Sequence, residues 1–186
     1  MAAAAIAILF VLTLVSTPAP ASIVTHRHHG SAAAVAFNRI NAIRLAFGLS
    51  PGQPTAAFAL EVREAVRLNE DPPFASQSND LVEQDALWGV MPGLRGNDSA
   101  SALFVVDAWV YHDGWGGSAA ATWNADCTSP SAPGCNGHRN AILSKPPEEG
   151  AKLFIDVTTQ EVTYAGQPAV SVAALLVWKL ATPRAA

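Results

Sequence analysis

Five histidines and two cysteines hold most of the reactive chemistry in this sequence, and their spacing ranks them. Cys127 and Cys135 enclose "TSPSAPG", in which Ser129, Pro130, Pro133 and Gly134 can turn the chain back on itself. In an exported chain an even cysteine count favours a disulfide, whereas a structural zinc site wants four ligands and tighter spacing. His138 follows in "CNGHRNAIL", just after Gly137 and at the start of a short helix, with Arg139 beside it. A ring fixed by a closed loop is positioned at low entropic cost, as an acid–base group or a metal ligand requires. Capping the helix or bonding to a neighbouring loop is the alternative role and weighs equally on chemistry alone.

His112 and Asp113, in "AWVYHDG", stand three and four residues after Trp109, so helical geometry puts all three on one side. His112 could equally serve as a cation at a helix C-terminus, and Trp109 as core. A His beside a carboxylate is the minimum for general-base chemistry. No Gly-x-Ser-x-Gly or His-Glu-x-x-His stretch occurs, so the common hydrolase signatures are missing. His26, His28 and His29 crowd "THRHHG", where solvated, incidental histidines are the commoner case.

These side chains need a scaffold, and the apolar pattern outlines one. "SAAAVAFNRINAIRLAFGL" predicts a helix capped by Ser31 and Gly48 that buries Ala36, Ile40, Ile43 and Phe47. A second helix over residues 54–70 buries Phe58, Val62, Ala65 and Val66 and ends before Pro72 and Pro73. Residues 75–97 read as mainly irregular, with a short strand around "DALWGV". A third helix opens at Asp98 or Ser99 and stops at Gly114. The β-branched tail from Gly150 predicts antiparallel strands, divided by turns at Thr158-Thr159-Gln160 and at Ala165-Gly166-Gln167-Pro168. Helices first and a meander last make an α+β fold with a C-terminal antiparallel sheet.

Composition narrows the partners. The chain has 186 residues, 50% of them hydrophobic, with 14% charged and a net charge of −4, so it has no basic field to gather nucleic acid. "MAAAAIAILFVLTLVSTPAPA" (1–21) reads as a cleaved export signal, too short to span a bilayer comfortably and ending in small residues, with an uncleaved signal anchor as the competing reading. Residues 22–186 are then a secreted, extracellular domain with no membrane span after signal removal.

Three stretches, taken in order, resemble the CAP superfamily, which groups cysteine-rich secretory proteins, antigen 5 and pathogenesis-related proteins. "GCNGHRNAIL" is similar to the Gly-His-Arg-x-x-Ile-Leu signature of its bacterial SCP-like members. "INAIRLAFGLSP" resembles the early motif, and "AWVYHDG" followed by Asn124, Asp126 and Cys127 resembles the middle one. The likeness implies an α-β-α sandwich with a central groove in which two His and two acidic side chains can hold a divalent metal. Carried over by position, it implies groove roles for His138, His112, Asp113, Trp109 and Arg139. Ile40 stands where the early motif has His, and Glu83 and Asp85 lie where a Gly-Glu-Asn motif would fall, so the likeness implies a set of His138, His112, Asp113 and either Glu83 or Asp85 that could hold a divalent ion such as Zn²⁺ weakly.

The function implied is a secreted binding protein that takes a lipid, a sterol or an extracellular protein, with Trp88, Trp109, Trp115 and Trp123 around the groove and Trp115 exposed. The alternatives are a metal-assisted or His/carboxylate hydrolase of peptides or cell-wall material, and a scaffold with a degenerate groove.

Overall fold

A computed structural model describes residues 31–76, 78–92, 97–118 and 121–181; the expected export signal and His26, His28 and His29 lie outside the described residues. In chain order the elements are α1 (Ser31–Ala46), β1 (Gln53–Pro54), α2 (Ala59–Leu68), β2 (Leu81–Pro92), α3 (Asp98–Tyr111), α4 (Gly137–Ile142), β3 (Ala151–Tyr164) and β4 (Gln167–Leu180). The strands form one mixed sheet in the order β1-β3-β4-β2, parallel between β1 and β3 and antiparallel elsewhere.

The inner strand β4 explains the rest. Its residues from Ala169 to Trp178 are all buried, which is why the tail reads as a continuous apolar run. Successive side chains point to opposite faces. Val172, Ala174, Leu176 and Trp178 join a core with Ile40 and Ile43 of α1, Val106 and Trp109 of α3, and Ile142 of α4. Ala173, Leu175 and Val177 join a second core with Val62, Ala65 and Val66 of α2. Helices thus cover both faces, and the α+β class expected from the pattern holds.

Several local expectations need correction. Thr158, Thr159 and Gln160 are not a turn; they lie inside β3, opposite Ala173, Val172 and Ser171, because β-branched threonines suit a pleated strand. The hairpin turns only at Ala165 and Gly166, both at positive φ (50° and 78°), the conformation that two-residue hairpin loops require. Residues 81–92 are not irregular but a long edge strand, paired with β4 from Leu81–Lys179 to Pro92–Ala169. Its alternation is weak because most of its side chains are only partly buried. Gly89 sits in it for close approach: a Cβ there would lie 2.7 Å from Val105 Cγ1 and 2.9 Å from Trp109 Nε1. Phe47 is 46% exposed instead of buried. Helix α1 ends at Ala46 and the chain turns at Gly48, so Arg44 takes the interior position.

Asp85 of β2 is partly buried, and its Oδ2 has no hydrogen-bond partner. Burial, and secondarily the charge of Glu83, push its carboxyl above the ordinary aspartate value. The native state therefore holds this proton more tightly than the unfolded chain does. Asp85 contributes stability at low pH that is lost as pH rises through the folded pKa. Asp85→Asn removes that loss: its Tm should exceed that of the parent by a few degrees at pH 7 and converge with it near pH 3. Thermal scans at both pH values test this; a gain of equal size at pH 3 and pH 7 would contradict it.

Candidate functional site

The site is assembled where α3 ends. The side chain of Asn97 accepts a hydrogen bond from the Ala100 N–H and starts the helix; His112 closes it as C-cap, its N–H donating to the Ala108 carbonyl. Because the helical path stops at Tyr111, His112 and Asp113 no longer project together. Asp113 turns inward and is 2% exposed, while His112 is exposed and stacks on Trp123 with ring centroids 4.8 Å apart.

Asp113 is the hub. Its Oδ1 accepts from Asn124 Nδ2 at 2.7 Å and is paired with His138 Nδ1 at 2.7 Å; its Oδ2 accepts from the Arg139 backbone N–H at 2.9 Å. A carboxylate only accepts, so Nδ1 carries the hydrogen and Nε2 is the ring nitrogen left unengaged. Asn124 Nδ2 also donates to the Gly134 carbonyl, and Asn124 Oδ1 accepts from the Asp126 N–H. The loop that brings these groups together is closed by the Cys127–Cys135 disulfide, as the sequence leads one to expect. In the chain-entropy view a loop of this size contributes about 2–3 kcal/mol. Gly134 packs directly on Asp126, whose Cβ would be 2.4 Å from any Cβ added there.

Beside this hub lies a cavity of about 380 Å³ between α3, β2 and the loop. Its apolar wall is Trp88, Val90, Met91, Val105, Ala108 and Trp109; Trp123 and Tyr164 add aromatic faces. Trp109 is fixed by a bond from Nε1 to the Trp88 carbonyl at 3.1 Å, and its ring lies nearly parallel to His138 at 6.0 Å. Asp71, Asp113, Asn124, Asp126 and His138 supply the polar lining. Although the residue as a whole is exposed, the Asp71 carboxyl is set among packed atoms. Desolvation, first of all, pushes it above the ordinary aspartate value; His138 opposes that rise and Asp126 adds to it.

The structure thus brings Trp109, Asp113 and His138 to one cavity, and Trp88 and Trp123 with them. His112, the Arg139 side chain, Glu83, Asp85 and Trp115 do not line it. Arg139 instead donates from Nη1 to the Val110 carbonyl at 2.7 Å and lies over the Phe47 ring. Among the described residues no three His, Cys, Asp or Glu side chains converge as a set that could hold a metal ion, so His138, His112 and Asp113 do not form the expected ligand triad. The physical reason is the early end of α3, which separates His112 from its neighbour. Sequence reasoning missed Asp71 and Tyr164. Asp71 follows α2 in "DPPF", where its visible role was to precede a helix-stopping Pro-Pro, and Tyr164 ends a strand far along the chain.

Fold and site together define an α+β protein with a disulfide-braced His–carboxylate cavity. No protein-family model, no curated protein and no solved structure matches this chain.

Proposed function

We propose that this chain is a secreted, CAP-type binding protein that takes an amphipathic small molecule, of lipid or sterol kind, into the cavity beside His138. The observation that carries the reading is the cavity itself: a mostly aromatic and aliphatic chamber with a few convergent polar groups, the usual make-up of a small-molecule site. The CAP likeness gains support from the way its three motif stretches touch. Arg44 of the first bonds to the Ile142 and Ser144 carbonyls at the third, and Asp113 of the middle one bonds to His138 and Arg139. Secretion is supported by the disulfide and by the leader-like N-terminal sequence; among the described residues no helix is long and apolar enough to cross a membrane.

The test is solvent extraction of protein purified from the medium of cells expressing the full sequence, with mass spectrometry of the extract. One lipid or sterol class should co-purify near one equivalent, and Ala108→Phe, which fills the chamber, should abolish it while Tm stays near that of the parent. A folded protein that carries no such molecule, and takes up none from a panel of lipids and sterols, would overturn the reading and leave the scaffold alternative.

A second reading has one specific observation in its favour. Asp113 holds His138 by Nδ1, the arrangement in which Nε2 can take a proton from water. No Ser, Thr or Cys lines the cavity, so hydrolysis there would proceed through water rather than an acyl-enzyme. Turnover of ester or peptide substrates that disappears in His138→Ala would establish it.

A further inference from the structure

Among the described residues the cavity lining carries a charge imbalance: no Lys or Arg lines it, while three carboxylates do, Asp71, Asp113 and Asp126. Asp113 is fully engaged by Asn124, His138 and the Arg139 N–H. Asp71 and Asp126 are different: among the described residues neither forms an ion pair, and His138 is the one titratable group of opposite sign on the lining. Around them stand the rings of Trp88, Trp109, Trp123 and Tyr164. Carboxylates outside any ion pair, in a cavity that tryptophan and tyrosine rings also line, form a setting that attracts a cation by Coulomb force, to which a free ring face would add.

We infer that the cavity selects a ligand with an organic cationic head, an alkylammonium group set among Asp71, Asp126 and the aromatic rings, with its apolar part against Val90, Met91 and Val105. This rests on the reading that the cavity takes a small molecule and narrows it to one charge class. An anionic head, such as a fatty carboxylate or a sulfate, meets two like charges. A neutral one leaves the partly desolvated Asp71 carboxyl without a counter-ion. The electrostatic coupling between Asp71 and Asp126, which raises the Asp71 carboxyl, is relieved when a positive charge enters.

Three probes of equal chain length separate the possibilities: decyltrimethylammonium, decyl sulfate and decanol, titrated below micelle-forming concentrations against the whole protein and followed by tryptophan fluorescence and calorimetry. The ammonium probe should bind at least about ten-fold more tightly than either of the others, with affinity falling in salt and as pH drops through the Asp71 titration. In the double variant Asp71→Asn/Asp126→Asn its preference over decanol should shrink about ten-fold. Equal or tighter binding of decyl sulfate or decanol, or an unchanged preference in the double variant, would overturn the charge-class inference while leaving the cavity a small-molecule site. Failure of all three probes to bind would remove the small-molecule reading itself, and this inference with it.

Discussion

Arg44→Met is expected to lower the unfolding free energy by about 2–4 kcal/mol, a fall in Tm of roughly 4–16 °C for a chain of this size. Arg44 is fully buried, and burial lowers its pKa, yet among the described residues it has no carboxylate partner and its Nη2 has no hydrogen-bond partner. What holds it is a fork of donors: Nη1 to the Ile142 carbonyl at 2.6 Å and the Ser144 carbonyl at 3.1 Å, and Nε to the Ser50 carbonyl at 2.9 Å. The guanidinium also lies 5.5 Å from the centre of the Trp178 ring. Methionine keeps most of the volume, so the loss would come from carbonyls left without donors rather than from a void.

Arg44→Lys should recover little, because one ammonium cannot reach loops that the planar fork spans. By contrast the exposed Arg67–Glu64 pair and the partly exposed Arg39–Asp107 pair are screened by solvent, so charge-neutral variants of either should melt close to the parent. Chemical denaturation of the four proteins tests the ordering. An Arg44→Met protein within about 1 kcal/mol of the parent would mean that those carbonyls find other donors.

That ordering was only half visible in the sequence. The apolar stripes of α1 and α2 placed Ile40, Ile43, Val62, Ala65 and Val66 inside, and the β-branched tail marked antiparallel strands. Arg44 looked like a polar neighbour of the α1 stripe, because its burial depends on carbonyls about a hundred residues away that no periodicity reports. The edge strand β2 was hidden for a related reason. Its pairing is backbone to backbone along β4, and a ladder of this kind leaves little trace in side-chain type when most of those side chains are only partly buried.

The site shows the same division. Cys127, Cys135 and His138 were legible because they are close in sequence and their chemistry restricts the choices. The helical relation of Trp109, His112 and Asp113 misled, since a helix that ends one residue before His112 breaks the expected spacing just where it mattered. Asp71 and Tyr164 arrive from α2 and β3 by tertiary packing alone. The ligand set anticipated for a metal therefore took His112 and Asp113 from consecutive positions, whereas the carboxylates that line the cavity come from separate segments around residues 71, 113 and 126.

The largest effect at the site is expected from Asp113→Asn, although the change is nearly isosteric. Both carboxylate oxygens are in use: Oδ1 serves Asn124 and His138, and Oδ2 serves the Arg139 N–H. An amide offers one acceptor and one donor. Whichever way it turns, its NH₂ faces at least one N–H, so a buried donor loses its partner and opposes another. The expected cost is about 2–4 kcal/mol, with His138 freed from its Nδ1 anchor and the start of α4 loosened. Asp126→Asn is the matched control. It removes the same charge from the same cavity, but its carboxylate makes no side-chain hydrogen bond among the described residues, so its Tm should stay within a few degrees of the parent. NMR of the His138 ring separates positioning from bulk stability: the hydrogen-bonded Nδ1–H signal should be lost in Asp113→Asn at temperatures where the protein is still folded, and kept in Asp126→Asn. Retention of that signal in Asp113→Asn would show that His138 is aligned by its stacking on Trp109 rather than by the carboxylate.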